Sequence, residues 1–407
     1  MAFGGRPSQN DRGENLIPYG KQWIGREDIS AVRRTLSSGW ITQGPKVLEF
    51  EQAFAAYCGA KYAVAVSSGT AGLHLAALAG GFGPDDEAVT SALSFVATSN
   101  CLLYAGATPR FVDIEEKTLG LDPVKAVRAV GRRTRGVIKV HFAGEPCLAG
   151  GASFFSKKKN FVVIEDACHA LGAEIRAGSA WKKIGSGYGA DLSVFSFHPV
   201  KHITTGEGGM VTTSRRDFYE KLLLLRSHGI ERDPKKWSAR ENIGNPWYYE
   251  MTELGFNYRI TDIQCALGLE QLKKLPGFVA RRREIASEYL RDLSGIDNLR
   301  LPGTNEGNRS SYHLFIVRIN YQDLGKDRRQ VMETLRLRGI GTQVHYIPIP
   351  RQPFYRRHLK TKPSDYPVCE AYYREALSLP IYPAMKRADT DKVIREVKNL
   401  FRKKNVA

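Results

Sequence analysis

Two side chains in this sequence are set where they could do covalent chemistry together. Lys201 lies in the turn that follows the β-rich run Leu192-Ser-Val-Phe-Ser196, just ahead of the glycine-rich stretch Gly206-Glu-Gly-Gly209. A lysine held off a strand end beside glycines is placed to form an imine with an aldehyde. Upstream, a second apolar run, Phe161-Val-Val-Ile-Glu-Asp166, ends in acid. An imine-forming lysine and a strand-end carboxylate are the pair that pyridoxal 5'-phosphate (PLP) chemistry needs. The lysine holds the aldehyde and moves protons; the carboxylate bonds the protonated pyridine nitrogen and keeps the ring an electron sink. Asp166 has a plainer reading as the cap of a following helix.

Three further constellations gain weight from this pair. In Val66-Ser67-Ser68-Gly69-Thr70-Ala71-Gly72-Leu73 a strand becomes a helix through small residues. Free amides at a helix start, with hydroxyls beside them, make an anion site, and Gly69 lets the backbone approach a phosphate closely. Small residues also serve simply to pack a tight turn. Phe95, in Ser94-Phe-Val-Ala-Thr98, is a candidate to stack on a cofactor ring, although a lone phenylalanine is usually core. Ser196 is a candidate phosphate ligand and His198 a candidate proton relay, with a structural histidine as the alternative. The order of these features says more than any one of them: phosphate turn, aromatic, strand-end Asp, strand-end Lys. The segment Gly185-Ser-Gly-Tyr-Gly189 is not a dinucleotide fingerprint, because it precedes a strand and opens no helix.

The elements that must position these residues alternate in type. Strands are expected at Tyr62–Ser67, Glu87–Ser91, Thr108–Asp113, Gly136–His141, Phe161–Asp166, Leu192–Phe197 and Gly209–Thr213. Helical patterns fall at Thr70–Ala79, Val96–Ala105, Asp122–Val130 and Arg215–Arg226, and Ile29, Val32 and Leu36 give helical spacing to Arg26–Ser37. This alternation predicts an α/β fold with a mainly parallel sheet. A long loop is expected over Glu231–Glu250, then one long helix (Ile263–Leu275, continuing as Val279–Leu293), then strands at Tyr312–Ile319 and Gln343–Ile349. The expected organisation is a mobile N-terminal arm (1–20), a large cofactor-binding domain (21–265) and a smaller α+β domain (266–407).

Composition narrows the function classes. The chain has 407 residues, 42% hydrophobic and 25% charged, so it can bury a sizeable core without staples. Its six cysteines (Cys58, Cys101, Cys147, Cys168, Cys265, Cys369) form no C-x-x-C pair, which argues against zinc, a redox motif or any other metal site, and fits reduced thiols in a cytoplasmic protein. The start has no apolar core of a signal peptide, and no run of 18 apolar residues predicts a membrane span. A net charge of +18 suits an anionic partner. The basic residues are diffuse, with short clusters at 157–159 and 402–404, and no helix-turn-helix, RNP-like or zinc-finger pattern accompanies them, so a phosphate-bearing ligand is favoured over nucleic acid.

These motifs together resemble the DegT/StrS family of PLP-dependent sugar aminotransferases. The resemblance runs from about Ile17 to Phe401 and rests on Trp40-Ile-Thr-Gln-Gly44-Pro, Ser67-Ser-Gly-Thr-Ala71, Glu165-Asp-Ala-Cys-His-Ala-Leu-Gly172, Ser196-Phe-His-Pro-Val-Lys201, Arg226-Ser-His-Gly229, Gly255-Phe-Asn-Tyr-Arg259, His345-Tyr346 and Leu379-Pro-Ile-Tyr-Pro383. Ile17-Pro-Tyr-Gly20, Asp166-Ala-Cys-His169 and Trp247-Tyr-Tyr-Glu-Met251 resemble the branch that serves pseudaminic acid synthesis. The resemblance implies the aspartate-aminotransferase (type I) fold. It implies that Lys201 binds PLP, that Asp166 pairs with the ring nitrogen, and that Phe95 stacks on the ring. It further implies that Gly69, Thr70, Ala71 through its amide, and Ser196 hold the phosphate, with His169 near the ring face or its phenolic oxygen. Asn257 is expected to reach the phosphate of a neighbouring subunit, making a homodimer with shared sites. Thr42, Gly44, Arg259, His345 and Tyr346 are the substrate-side candidates. Arg351 joins them as a candidate for a nucleotide phosphate, since it follows Pro350 where relatives often carry histidine. A second departure is Glu145-Pro-Cys147, followed by Gly150-Gly151, where many relatives continue His141-Phe-Ala-Gly144 with Gln-Pro.

The implied reaction is ping-pong transfer of the amino group of glutamate, through PLP, to a 4-keto-6-deoxy UDP-sugar. An aminotransferase for another UDP- or dTDP-linked keto sugar, at carbon 3 or 4, is the nearest alternative. Relatives that dehydrate deoxysugars carry histidine in place of the lysine, and Lys201 argues against that chemistry. A catalytically silent regulatory or nucleic-acid-binding relative has only the +18 charge in its favour.

Overall fold

The computed structural model describes residues 16–147, 152–155 and 160–402. Most of the expected arm (1–15), the basic cluster 157–159, Gly150-Gly151, and all but Arg402 of the cluster 402–404 lie outside them.

All seven expected strands form one sheet. Its order is Tyr62–Val66, Gly209–Thr213, Leu192–Ser196, Val162–Asp166, Thr134–Val140, Glu87–Ser91, Thr108–Val112. The last five of these are joined by parallel pairings, and Gly209–Thr213, second in the order, runs antiparallel to both of its neighbours. Two reversals cancel, so Tyr62–Val66 points the same way as the parallel strands. The C-terminal ends of six strands therefore share one edge, the edge at which open α/β sheets place their ligands.

Helices cover both faces. Gly69–Ala79, Ala97–Tyr104 and Arg216–Arg226 pack Leu73, Leu75, Leu102, Leu222 and Leu225 on Val64, Ile138, Ile164 and Val194. On the other face Pro45–Cys58 and the first half of Asp262–Asp292 bring Phe50, Phe54, Leu275 and Phe278 to Phe195, Phe197 and Met210. Pro45 begins its helix at a position where a missing amide costs nothing, and Gly59 ends it in the left-handed conformation.

The long helix expected over 263–293 forms as Asp262–Asp292, running unbroken through Pro276. Pro276 removes one backbone bond, but flanking Leu275 and Val279 are buried and hold both halves in line. Its second half, through Ile285, Ala286 and Tyr289, joins a separate core with Phe315, Val317, Leu335, Leu377 and Val393. That core surrounds a three-stranded sheet in the order Leu299–Arg300, Phe315–Ile319, Ala376–Leu379. A further cluster ties the halves together, packing Leu93, Phe111 and Phe142 on Ile316, Ile349, Tyr355 and Tyr372.

Three local expectations differ from what the chain does, and a fourth is sharpened. Residues 343–349 are not a strand: Gln343 makes a single bridge to Ser378, and the His345–Tyr346 peptide bond is cis. Glu231–Glu250 is the expected long loop, closed at its base by the paired strands Ile230–Glu231 and Glu250–Met251. Ile17 is no part of a loose arm, since it is buried and bridges Ile340. Helix Arg26–Leu36 forms, but Ile29 and Leu36 face outward while Asp28, Ala31 and Thr35 are buried. The inward face is chosen by a polar anchor. Asp28 takes Lys274 Nζ at 2.6 Å, Gln271 Nε2 at 3.1 Å and the Gly25 amide at 2.7 Å.

Leu275 is completely buried where helix and sheet meet. Leu275→Ala is expected to lower stability by about 2–5 kcal/mol, the cost of a core leucine's lost transfer energy plus its cavity. Urea denaturation of both proteins checks this; a loss below about 1 kcal/mol would mean the site collapses onto the gap.

Candidate active site

The sheet edge collects the residues that the sequence singled out. Asp166 ends its strand, registered between Val140 and Val194. Ser196 ends the next strand, and Lys201 follows in the turn, its amide donating to the His198 carbonyl at 2.9 Å. Tyr62–Val66 delivers Ser67–Ala71, and the loop after Glu87–Ser91 delivers Phe95.

Lys201 stands in a low-dielectric setting, and its pKa is lowered. Burial is the largest cause, opposed by the acidic groups Cys168 and Asp166, which favour the ammonium form. Asp166 is 7% exposed, and its carboxylate is held by two donors. The Cys168 amide reaches Oδ1 at 3.2 Å and the Thr98 hydroxyl reaches Oδ2 at 2.5 Å.

At the helix start, Ser68 caps Gly69–Ala79, its hydroxyl accepting the Ala71 amide at 3.1 Å. That amide, expected to face a phosphate, is thus bonded within the turn. Gly69 and Thr70, the first residues of the helix, have amides with no intrahelical acceptor. A β-carbon on Gly69 would come within 2.9 Å of Ser196 Cβ and 3.2 Å of Cys168 Sγ. Glycine is therefore what brings the helix start, Ser196 and the Asp166 turn into one cradle. Thr70 is exposed, and Phe95 keeps 41% of its surface open with its ring centroid 5.8 Å from that of Tyr346.

Behind Lys201 lies a group of buried histidines that spacing did not disclose. His169 and His313 have ring centroids 4.3 Å apart, and His313 and His202 5.5 Å apart. His169 Nε2 is 3.1 Å from the Tyr346 hydroxyl, His345 Nδ1 is 2.8 Å from Ser378 Oγ, and His202 Nε2 is 3.2 Å from the Ser311 carbonyl. All four are held neutral. Burial pushes His169, His202 and His313 well below their ordinary value and takes His345 down to about 3, and the positive charge of Lys201 adds to the effect in each. Buried Arg282 adds its own charge against His202 and His313. Its guanidinium reaches the carbonyls of Tyr312, His313 and Ile381.

The substrate-side candidates divide. His345 and Tyr346 sit in this group with His169. Thr42 and Gly44 lie against the start of Asp262–Asp292: the Thr42 carbonyl accepts the Asp262 amide at 2.9 Å, and a Gly44 β-carbon would fall 2.1 Å from Asp262 Oδ2. Arg259 is on the segment just before that helix, and exposed Asn257 bridges Ser227. Arg351 is engaged elsewhere. Its Nε is 2.8 Å from Glu370 Oε1, and its Nη2 also bonds Glu370. His198 is lowered by partial burial and its amide meets Ser196 Oγ at 3.4 Å. Sequence reasoning passed over Ser94, Thr98, His202, His313 and Tyr355. For the first two the signal was available, as two hydroxyls at i and i+4 flanking Phe95. The others come from distant segments, and only folding brings them close.

A site with a half-buried lysine, a strand-end carboxylate and an anion cradle on a mainly parallel sheet defines the class of PLP-dependent transferases of type I fold. The chain belongs to the DegT/DnrJ/EryC1/StrS aminotransferase family, whose sequence profile matches residues 22–398. It is 39% identical over 389 residues, covering 95% of this chain and 98% of the relative, to the spore coat polysaccharide biosynthesis protein SpsC of Bacillus subtilis (strain 168). Its fold is similar to that of Helicobacter pylori PseC, an aminotransferase involved in the biosynthesis of pseudoaminic acid, with 31% identity, TM-score 0.84, and 95% and 99% of the two chains covered. S. venezuelae DesV, solved in complex with a ketimine intermediate, matches with 32% identity, TM-score 0.83, and coverage of 93% and 95%. The family is one of PLP-dependent sugar aminotransferases, and the residues present fit that cofactor, as the Gly69 cradle and the doubly held Asp166 carboxylate attest.

The histidines make stability depend on pH. Unfolded, they take up protons near pH ~6.5; folded, they stay neutral far lower, His345 to about 3. The unfolded state thus binds more protons as pH falls below that value, and stability drops with it. The melting temperature is expected to fall between pH 7.5 and pH 5, and to fall less steeply in His313→Gln. Identical slopes in the two proteins would remove His313 from the set that titrates on unfolding.

Proposed function

We propose that this protein moves the amino group of glutamate onto a 4-keto-6-deoxy sugar carried on UDP, with PLP as cofactor. The setting is the cytoplasmic synthesis of pseudaminic acid or a related glycan. The observation that carries the reading is the shared sheet edge of Lys201 and Asp166, with the Gly69 cradle beside them. The similarity to PseC at 31% identity supports the sugar.

PLP, when bound, supplies an aldehyde that carries the amino group and a ring that takes up electrons. The chain's own residues do the rest. Burial shifts the Lys201 amine toward its neutral form, which can attack a carbonyl carbon and can accept and return a proton. Asp166, held between two donors, accepts a hydrogen bond from a ring N–H. Gly69, Thr70 and Ser196 offer amides and hydroxyls to a phosphate, and the open face of Phe95 stacks on a ring. His169 and Tyr346 share a hydrogen bond on the same side and orient a polar substituent. Glutamate leaves as 2-oxoglutarate, and the keto carbon of the sugar receives the amine.

A second copy of the chain completes this reading. Trp40 (62% exposed), Trp247 (73%) and Leu254 (76%) leave large apolar side chains uncovered near the motifs that carry Thr42, Gly44 and Asn257. Asn257 would then meet the phosphate in the partner's site.

Incubation with glutamate and a panel of UDP- and dTDP-linked 4-keto-6-deoxy sugars, read by 2-oxoglutarate release, is expected to single out a UDP-sugar. Release with no member of the panel overturns the assignment. Lys201→Ala should fold and lose turnover completely, whereas full activity would sink the role of the lysine. Mixed Lys201→Ala and Asn257→Ala chains should recover part of the activity; without recovery each site is built from one chain.

A further inference from the structure

Asp166 is held by more than its strand. A carboxylate only accepts hydrogen bonds, so the 2.5 Å contact between Thr98 Oγ1 and Asp166 Oδ2 uses the single hydroxyl proton of Thr98. The 2.6 Å contact between Ser94 Oγ and Thr98 Oγ1 must then run the other way, with Ser94 donating. The result is a directed chain, Ser94 to Thr98 to Asp166. Both hydroxyls are buried, at 4% and 0% exposure, so water does not compete for them.

The element bearing Thr98 is also pinned from its far side. Ser99 Oγ donates to the Tyr355 hydroxyl at 2.8 Å, and Tyr355 donates to Asn100 Oδ1 at 2.5 Å. Tyr355 belongs to the C-terminal half of the chain and is buried on Phe111. The first turn of Ala97–Tyr104 is thus gripped from two directions, and Thr98 cannot swing its donor away. On the other oxygen, the Cys168 amide holds Oδ1.

We propose that the Ser94–Thr98 hydroxyl chain is a positioning device for Asp166: it locks the carboxylate rotation, so that the free lone pair of Oδ2 is aimed at a cationic ring nitrogen before the cofactor arrives. This rests on the PLP reading above. Thr98 touches no reacting atom and is not catalytic. Its effect is confined to ligands that present an N–H to Asp166. Removing the hydroxyl leaves the carboxylate with one donor, the Cys168 amide, and free to turn.

The test compares apo-protein of wild type, Thr98→Val and Thr98→Ser, titrated with PLP and with its 1-deaza analogue, in which carbon replaces the ring nitrogen. Binding is read by absorbance and protein fluorescence. Thr98→Val is expected to weaken PLP by about ten-fold, the loss typical of a hydrogen bond to a charged acceptor, and to leave the deaza analogue unchanged. Thr98→Ser, which keeps the hydroxyl, restores PLP affinity. Equal weakening of both ligands by Thr98→Val makes Thr98 a general structural residue and overturns the proposal, as does no weakening of either, or failure of Thr98→Ser to restore binding. If wild-type protein binds neither ligand, the PLP reading itself fails, and the result is separable because it appears before any substitution.

Discussion

The partial burial of a single amine, Lys201, is the constraint around which the site is arranged. Lys201 is set at a sheet edge where burial lowers its pKa, and only partial compensation comes from Cys168 and Asp166. Everything packed around it answers the same electrostatic demand. Charged histidines there would be costly, so His169, His202, His313 and His345 are neutral. Asp166 is held by two directed donors, the Thr98 hydroxyl and the Cys168 amide. A close salt bridge would have held the lysine as an inert ammonium ion.

The strand carrying Asp166 is secured from its opposite face. Side chains alternate along a strand, so Glu165 points away from the site into a buried network. Burial would raise its pKa, yet Lys139 and His141, both 3.3 Å from its carboxylate, and Ser193 at 2.7 Å bring it down to about 2. Lys139 belongs to one neighbouring strand and Ser193 to the other, and His141 directly follows the first of these. One anion therefore clamps three adjacent strands just behind the functional edge. Such buried pairs add little net stability for their desolvation cost, but they fix register, and a one-residue slip would exchange Glu165 for Asp166.

Much of the fold was legible because the central strands are short, β-branched and punctuated by helical periods, signals that survive without tertiary context. What was not legible depends on partners distant in the chain. Ile29 and Leu36 suggested an apolar face, but the ion pair and amide bonds of Asp28 with Lys274 and Gln271, distant in the chain, turned that helix over. The run 343–349 has strand composition yet lacks a partner row, since its one bridge is to Ser378. Arg351 looked free to meet a phosphate until Glu370 was found bonded to it. Long-range polar contacts decided the first and third cases, and a missing partner strand the second.

The sequence by itself determined the chemical inventory and its order. Lys201, Asp166, Phe95 and the Ser67–Ala71 turn each lie at a strand end, and strand ends can be read from hydrophobic runs that stop. Only the tertiary structure decided what those groups experience. That the lysine's pKa is lowered, that Ser94 and Thr98 aim the carboxylate, and that four histidines from separate segments converge behind it all depend on burial and on contacts between residues far apart in the chain. Local spacing encodes secondary structure; dielectric environment and hydrogen-bond direction are properties of the packed whole.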